Sequence, residues 1–76
     1  MASTPRRKIR VRFVVPEYVT RWGQVLRVVG SLDELGGWRP EQAPAMRWRD
    51  GHAWTLDVNL PAGAAVSFKV VATEEE

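Results

Sequence analysis

In three separate stretches of the chain, apolar and polar residues alternate with the period of two that marks a half-buried strand. Ile9, Val11, Phe13 and Val15 alternate with Lys8, Arg10, Arg12 and Val14, and Pro16 ends that pattern. Trp54, Leu56, Val58 and Leu60 alternate with Thr55, Asp57 and Asn59 before the turn Pro61-Ala62-Gly63. Val66, Phe68 and Val70 alternate with Ser67, Lys69 and Val71. Two further strands are predicted at 24–29, closed by Gly30-Ser31, and at 46–49. Between them, residues 32–44 hold Gly36, Gly37, Pro40 and Pro44, so a long loop is expected there, with one helical turn at 32–35. Short strands punctuated by proline and glycine predict an all-β fold, a small immunoglobulin-like β-sandwich or open barrel of antiparallel strands.

Length makes this a single small domain: 76 residues bury little surface and leave a marginal core. No cysteine is present, so no disulfide supports it. A single histidine, His52, cannot build a histidine-based metal site, and it reads as an exposed turn residue. Neither metal nor cofactor is expected. No apolar run approaches the roughly 20 residues of a membrane-spanning helix, and no membrane partner is expected.

The charge is uneven. Arg6, Arg7, Lys8, Arg10 and Arg12 crowd the first strand, and Glu74, Glu75 and Glu76 read as a solvated tail. Residues 1–8 form a basic tail ahead of a β domain over 9–76. The basic cluster is read as a solvated strand face. Nucleic-acid contact is the weaker reading, because Phe13, the one aromatic among these residues, alternates inward. The first residues lack the apolar segment of a secretory signal, which favours a cytoplasmic location; their Ser, Thr and Arg content leaves a plastid as the alternative.

Four tryptophans in so short a chain change the picture most. Trp22 lies in Thr20-Arg21-Trp22-Gly23 and Trp38 in Gly36-Gly37-Trp38-Arg39-Pro40, both loops. A large ring held in a loop costs stability unless something stacks on it: a sugar ring, a base or another protein, so that a protein-interaction sandwich meeting another domain through its exposed tryptophans is the alternative reading. Trp38 either stacks on a ligand or closes one end of the sandwich; Trp22 either stacks or packs beneath the first loop. Trp54 is in register with Leu56 and Val58 and belongs to the core. For Trp48 the hairpin decides. A two-residue Asp50-Gly51 turn pairs it with Ala53 and sets it on the face opposite Trp54; a three-residue loop puts both rings on one face. The carboxylates form no acid/base pair with interpretable spacing, and no nucleophile, phosphate-loop or metal motif is present, so no catalysis is expected.

The run Gly23-Gln24-Val25-Leu26-Arg27-Val28-Val29-Gly30-Ser31-Leu32-Asp33-Glu34-Leu35-Gly36-Gly37-Trp38 resembles the core signature of starch-binding domains of carbohydrate-binding module family twenty. Trp54 at the start of a strand, Leu60-Pro61-Ala62-Gly63 and Phe68-Lys69-Val70 follow in the family's order. The resemblance implies a non-catalytic module that binds α-1,4-glucan (starch, glycogen, maltooligosaccharides, cyclodextrin) and serves a tethered catalytic domain. It implies a first glucan site with Trp38 and Lys69, though Lys69 also fits a plain solvated lysine. It implies a second site with Trp22, where Trp48 is the one candidate for the partner ring. The resemblance covers roughly the first three quarters of such a domain. The hairpin that carries the second tryptophan of the first site has no counterpart up to Glu76, so a domain incomplete at its C-terminus is expected. The segment 13–23 is most similar to the first module of the cytosolic 4-α-glucanotransferases of plants and algae.

Overall fold

The computed structural model describes residues 7–75, and these form five strands and two short 3-10 turns. β1 (Lys8–Val15), β4 (Ala53–Pro61) and β3 (Arg47–Arg49) make one antiparallel sheet with β4 in the middle. β2 (Gln24–Gly30) and β5 (Phe68–Glu74) pair antiparallel in a second sheet. The result is the open all-β sandwich expected from the alternation. The basic tail predicted over 1–8 lies mostly outside the described residues; Lys8 already opens β1.

Alternation decides which side chains meet. Trp54, Leu56 and Val58 of β4 stand opposite Val15, Phe13 and Val11 of β1, all turned to the core. Leu26 and Val28 of β2 face them from the other sheet, and Leu35, Met46 and Leu60 complete the buried cluster. Phe13 and Phe68 meet edge to face across the gap, with ring centroids 4.8 Å apart, a contact worth about 0.5–1.5 kcal/mol beyond its buried area. On its outer edge β5 has no partner strand among the described residues, and Phe68 and Val70 remain partly exposed there.

β2 is held on both sides. Along the edge away from β5, the Val28 N–H donates to Pro44 O (3.2 Å) and the Met46 N–H to Leu26 O (2.8 Å) before the chain crosses into β3. Ahead of that crossing, residues Asp33–Trp38 form the predicted helical turn, longer than expected and 3-10 in type. Gly36 makes it possible: its φ is +84°, and a Cβ there would lie 2.8 Å from the Ala43 nitrogen.

Two expectations are corrected. β5, expected over 66–71, runs over Phe68–Glu74. Ser31 explains its late start: its N–H donates to Ser67 O (2.9 Å) and its Oγ accepts from the Ser67 N–H (3.1 Å), so this stretch serves a loop. The late end follows from the register, because Gln24 at the start of β2 stands opposite Glu74. Glu74 and Glu75 are therefore no solvated tail. Glu74 accepts from Arg21 at 3.2 Å, and Glu75 pairs with Arg27 while its N–H donates to Gly23 O. Glu76 lies outside the described residues. Arg27 also donates to Thr73 Oγ1 (3.2 Å) and Ala43 O (2.7 Å), clipping both strands to the long loop.

Candidate functional site

The β3–β4 hairpin settles the place of Trp48. Arg49 stands opposite Ala53, so the loop is Asp50-Gly51-His52, and Trp48 pairs directly with Trp54 on the same face of the sheet. Gly51 and His52 both take positive φ, 86° and 58°, which this tight reversal requires. Trp54 is buried at 5 % exposure, whereas Trp48, on a strand of three residues at the rim, is 49 % exposed.

The β1–β2 loop closes on this hairpin. The Tyr18 N–H donates to His52 O (2.9 Å), and Tyr18 O accepts from Trp54 Nε1 (3.2 Å). One residue thus ties the loop to the hairpin tip and to the core ring, and satisfies the buried indole nitrogen. Farther along the loop, Gln24 Oε1 accepts from the Arg21 N–H (2.8 Å), and the Gln24 N–H donates to Arg21 O (3.0 Å). That turn throws the Trp22 ring entirely into solvent.

Between loop and hairpin lies a concavity of about 530 Å³ lined by Thr20, Arg21, Trp22, Gln24, Trp48, His52 and Trp54. Trp22 and Trp48 are its exposed apolar walls, and buried Trp54 lies beneath them. His52 stands edge-on to Trp48, ring centroids 5.9 Å apart. Thr20, Arg21, Gln24 and His52 supply hydroxyl, guanidinium, amide and imidazole groups around the apolar surface. Such a surface suits a ligand with a flat apolar face and polar groups around its edge. No titratable pair suited to acid/base catalysis lines it.

Of the residues singled out in the sequence, Trp22 and Trp48 come together here; Trp38 and Lys69 do not line this concavity. Trp38 follows the far end of β2, a seven-residue strand about 20 Å long whose first residue, Gln24, lines the concavity. Its ring is 48 % exposed, on a residue with φ +67°, a conformation that a bulky side chain adopts only when its surroundings enforce it. Lys69 lies toward the same end, opposite Val29 on β5, and makes no hydrogen bond or ion pair among the described residues. Thr20, Arg21, Gln24 and His52 line the concavity without having been singled out in the sequence as binding residues. The pattern places His52 in a turn, but its position beside Trp48 depends on the loop length, which only the register reveals.

The family described as "Starch binding domain" matches residues 8–76. An AA13 family lytic polysaccharide monooxygenase A of Pyricularia oryzae is 33% identical over 76 residues, 95% of this chain and 20% of that protein. An alpha-amylase of Thermomonospora curvata is 45% identical over 56 residues, 70% of this chain and 9% of that protein. The solved structure of a family 15 glucoamylase from Hypocrea jecorina superposes with a TM-score of 0.80 at 28% identity, over 96% of this chain and 12% of that one. The chain spans at most a fifth of the length of these curated relatives.

Proposed function

This chain belongs to the starch-binding domain family, a non-catalytic α-glucan-binding module, and from that premise we propose that Trp22 and Trp48 form its principal glucan site. A glucose ring offers an apolar C–H face to an indole, and its hydroxyls project around the edge. The Trp22–Trp48 concavity carries this reading, because its two exposed rings are flanked by Thr20, Arg21, Gln24 and His52. Trp22 sits on a loop that Tyr18 ties to the hairpin, and Trp48 on a strand of that hairpin, so little ordering entropy is lost when sugar binds. Trp38 and Lys69 form a second, more open contact at the opposite end of β2.

The site is shallow and its affinity is modest. A ceiling of ~0.3 kcal/mol per atom over roughly 22 sugar atoms gives about 7 kcal/mol, a Kd of ~10 μM or weaker. Retention on a granule then comes from two contacts used together, or from further modules in the same polypeptide. The rest of that polypeptide carries a tethered starch-active catalytic domain, and starch, glycogen, maltooligosaccharides and cyclodextrins are the ligands. Calorimetric titration with β-cyclodextrin tests the reading. The native chain binds, Trp22→Ala and Trp48→Ala each weaken binding while the fold persists, and two variants that bind as the native chain does would overturn the assignment.

A further inference from the structure

The outer face of the β1–β4–β3 sheet, on the other side of β3 from Trp48, carries a second constellation. Arg10 and Arg12 of β1 and Arg47 and Arg49 of β3 all turn to this face. Register places one arginine beside each alternate residue of β4: Arg10 opposite Asn59, Arg12 opposite Asp57, Arg47 opposite Thr55 and Arg49 opposite Ala53. Their heads lean over the central strand. Arg12 holds Asp57 with two bonds, 2.7 and 2.9 Å, Arg10 adds one at 3.0 Å, and Arg49 Nε reaches Thr55 Oγ1 at 3.3 Å. Arg47 has no hydrogen-bonding partner among the described residues. A depression of about 310 Å³ lies between Arg10, Arg47 and Arg49 over Thr55 and Leu56, and Asp57 is the single carboxylate lining it.

Four guanidiniums against one carboxylate leave most of the donors on this face uncommitted, and that excess fixes the charge of whatever covers it. The spacing fixes its form. Alternate residues of β4 are about 6.7 Å apart, the same repeat that separates alternate side chains of any extended chain. The fork already closed on Asp57 displays the bidentate contact a carboxylate makes here. No aromatic ring lies among the residues that line the depression, so nothing offers the stacking platform a single-stranded nucleic acid requires. A second copy of the chain offers no strand with carboxylates on alternate residues, because β1 to β5 among the described residues carry acidic side chains only at Asp57 and Glu74. We propose that Arg10, Arg12, Arg47 and Arg49 form a docking face for an extended acidic polypeptide segment with carboxylates on alternate residues.

The face is separate from the Trp22–Trp48 concavity, so the inference stands whether or not that site takes glucan. The full chain would be titrated with a (Glu-Thr)₄ peptide, with a peptide of the same composition whose glutamates are contiguous, and with single-stranded and duplex oligonucleotides. The alternating peptide binds most tightly, weakens with added salt, and shifts the NMR signals of Thr55, Arg47 and Arg49. R47A/R49A weakens it at least about tenfold, as the loss of charge-assisted bidentate bonds requires, and keeps a cooperative thermal melt and the dispersed NMR spectrum of the native chain, which report that the variant is folded. Equal binding of the contiguous peptide, tighter binding of either oligonucleotide, or unaltered peptide affinity in R47A/R49A would overturn the proposal.

Discussion

The two ends of β2 each present a tryptophan, and they are built differently. At the start of the strand, Trp22 stands in a loop that Tyr18 fastens to the β3–β4 hairpin, and the hairpin brings Trp48 and His52 to face it. At the other end, Trp38 closes a 3-10 turn on a single strained residue, with exposed Lys69 on the neighbouring strand. The first arrangement is a two-walled concavity over a buried ring; the second is one ring presented by its backbone. An exposed aromatic therefore becomes a preorganised site through what its loop is tied to, and the ring alone does not suffice.

Removing the shared floor should have the largest effect. Trp54 packs against the core beneath the concavity and anchors Tyr18, so Trp54→Ala is expected to cost about 3–5 kcal/mol, most of the stability of so small a domain. Thermal melts would record the loss, and a folded variant with native affinity would remove the floor from the account. Next come the walls. Trp22→Ala and Trp48→Ala should each cost about 1–3 kcal/mol of β-cyclodextrin binding, with melting temperatures close to native, because both rings are exposed. Trp38→Ala should cost less than either; an equal or larger loss would reverse the ranking of the two ends. Gly36→Ala separates the ends from the side of the backbone. Its φ of +84° and the 2.8 Å approach to Ala43 should cost on the order of 1–3 kcal/mol of stability, and among binding signals only those of Trp38 should move.

The smallest expected effect lies on the face that belongs to neither end. The Arg12 and Arg10 guanidiniums hold the Asp57 carboxyl at about 2, below its ordinary 3.8. A depressed carboxyl stabilises the fold above its unfolded pKa, and that contribution is lost as pH falls from 3.8 toward about 2. Melting temperature should therefore fall over that window more steeply in the native chain than in Asp57→Asn. The same melts at neutral pH should show only a small difference, since the group is solvent-exposed and screened, and β-cyclodextrin affinity should match the native value.

Much of this was legible in the chain. Alternation identified β1, β4 and β5 and the inward side of each, and glycine spacing marked the turn before Trp38. Trp22 and Trp38 stood out because indoles beside glycines in loops have no core to enter. The rest depended on pairing between distant segments. Trp48 stayed undecided because a single residue of loop length moves it to the other face. His52 looked like turn punctuation until the register set its ring beside Trp48. Glu74 and Glu75 read as tail because their partners, Arg21 and Arg27, lie some fifty residues earlier, and no local pattern links them. The arginine face was half visible: β1 showed Arg10 and Arg12, but only the order β1–β4–β3 adds Arg47 and Arg49 to the same surface.

The four indole N–H signals test the central claim together, in a two-dimensional NMR titration of the chain with β-cyclodextrin. The account predicts that Trp22 and Trp48 move first and in parallel, that Trp54 moves slightly because it lies beneath them, and that Trp38 moves at higher ligand concentration with its own weaker constant. Saturable binding that moves Trp38 while Trp22 and Trp48 stay fixed would contradict it.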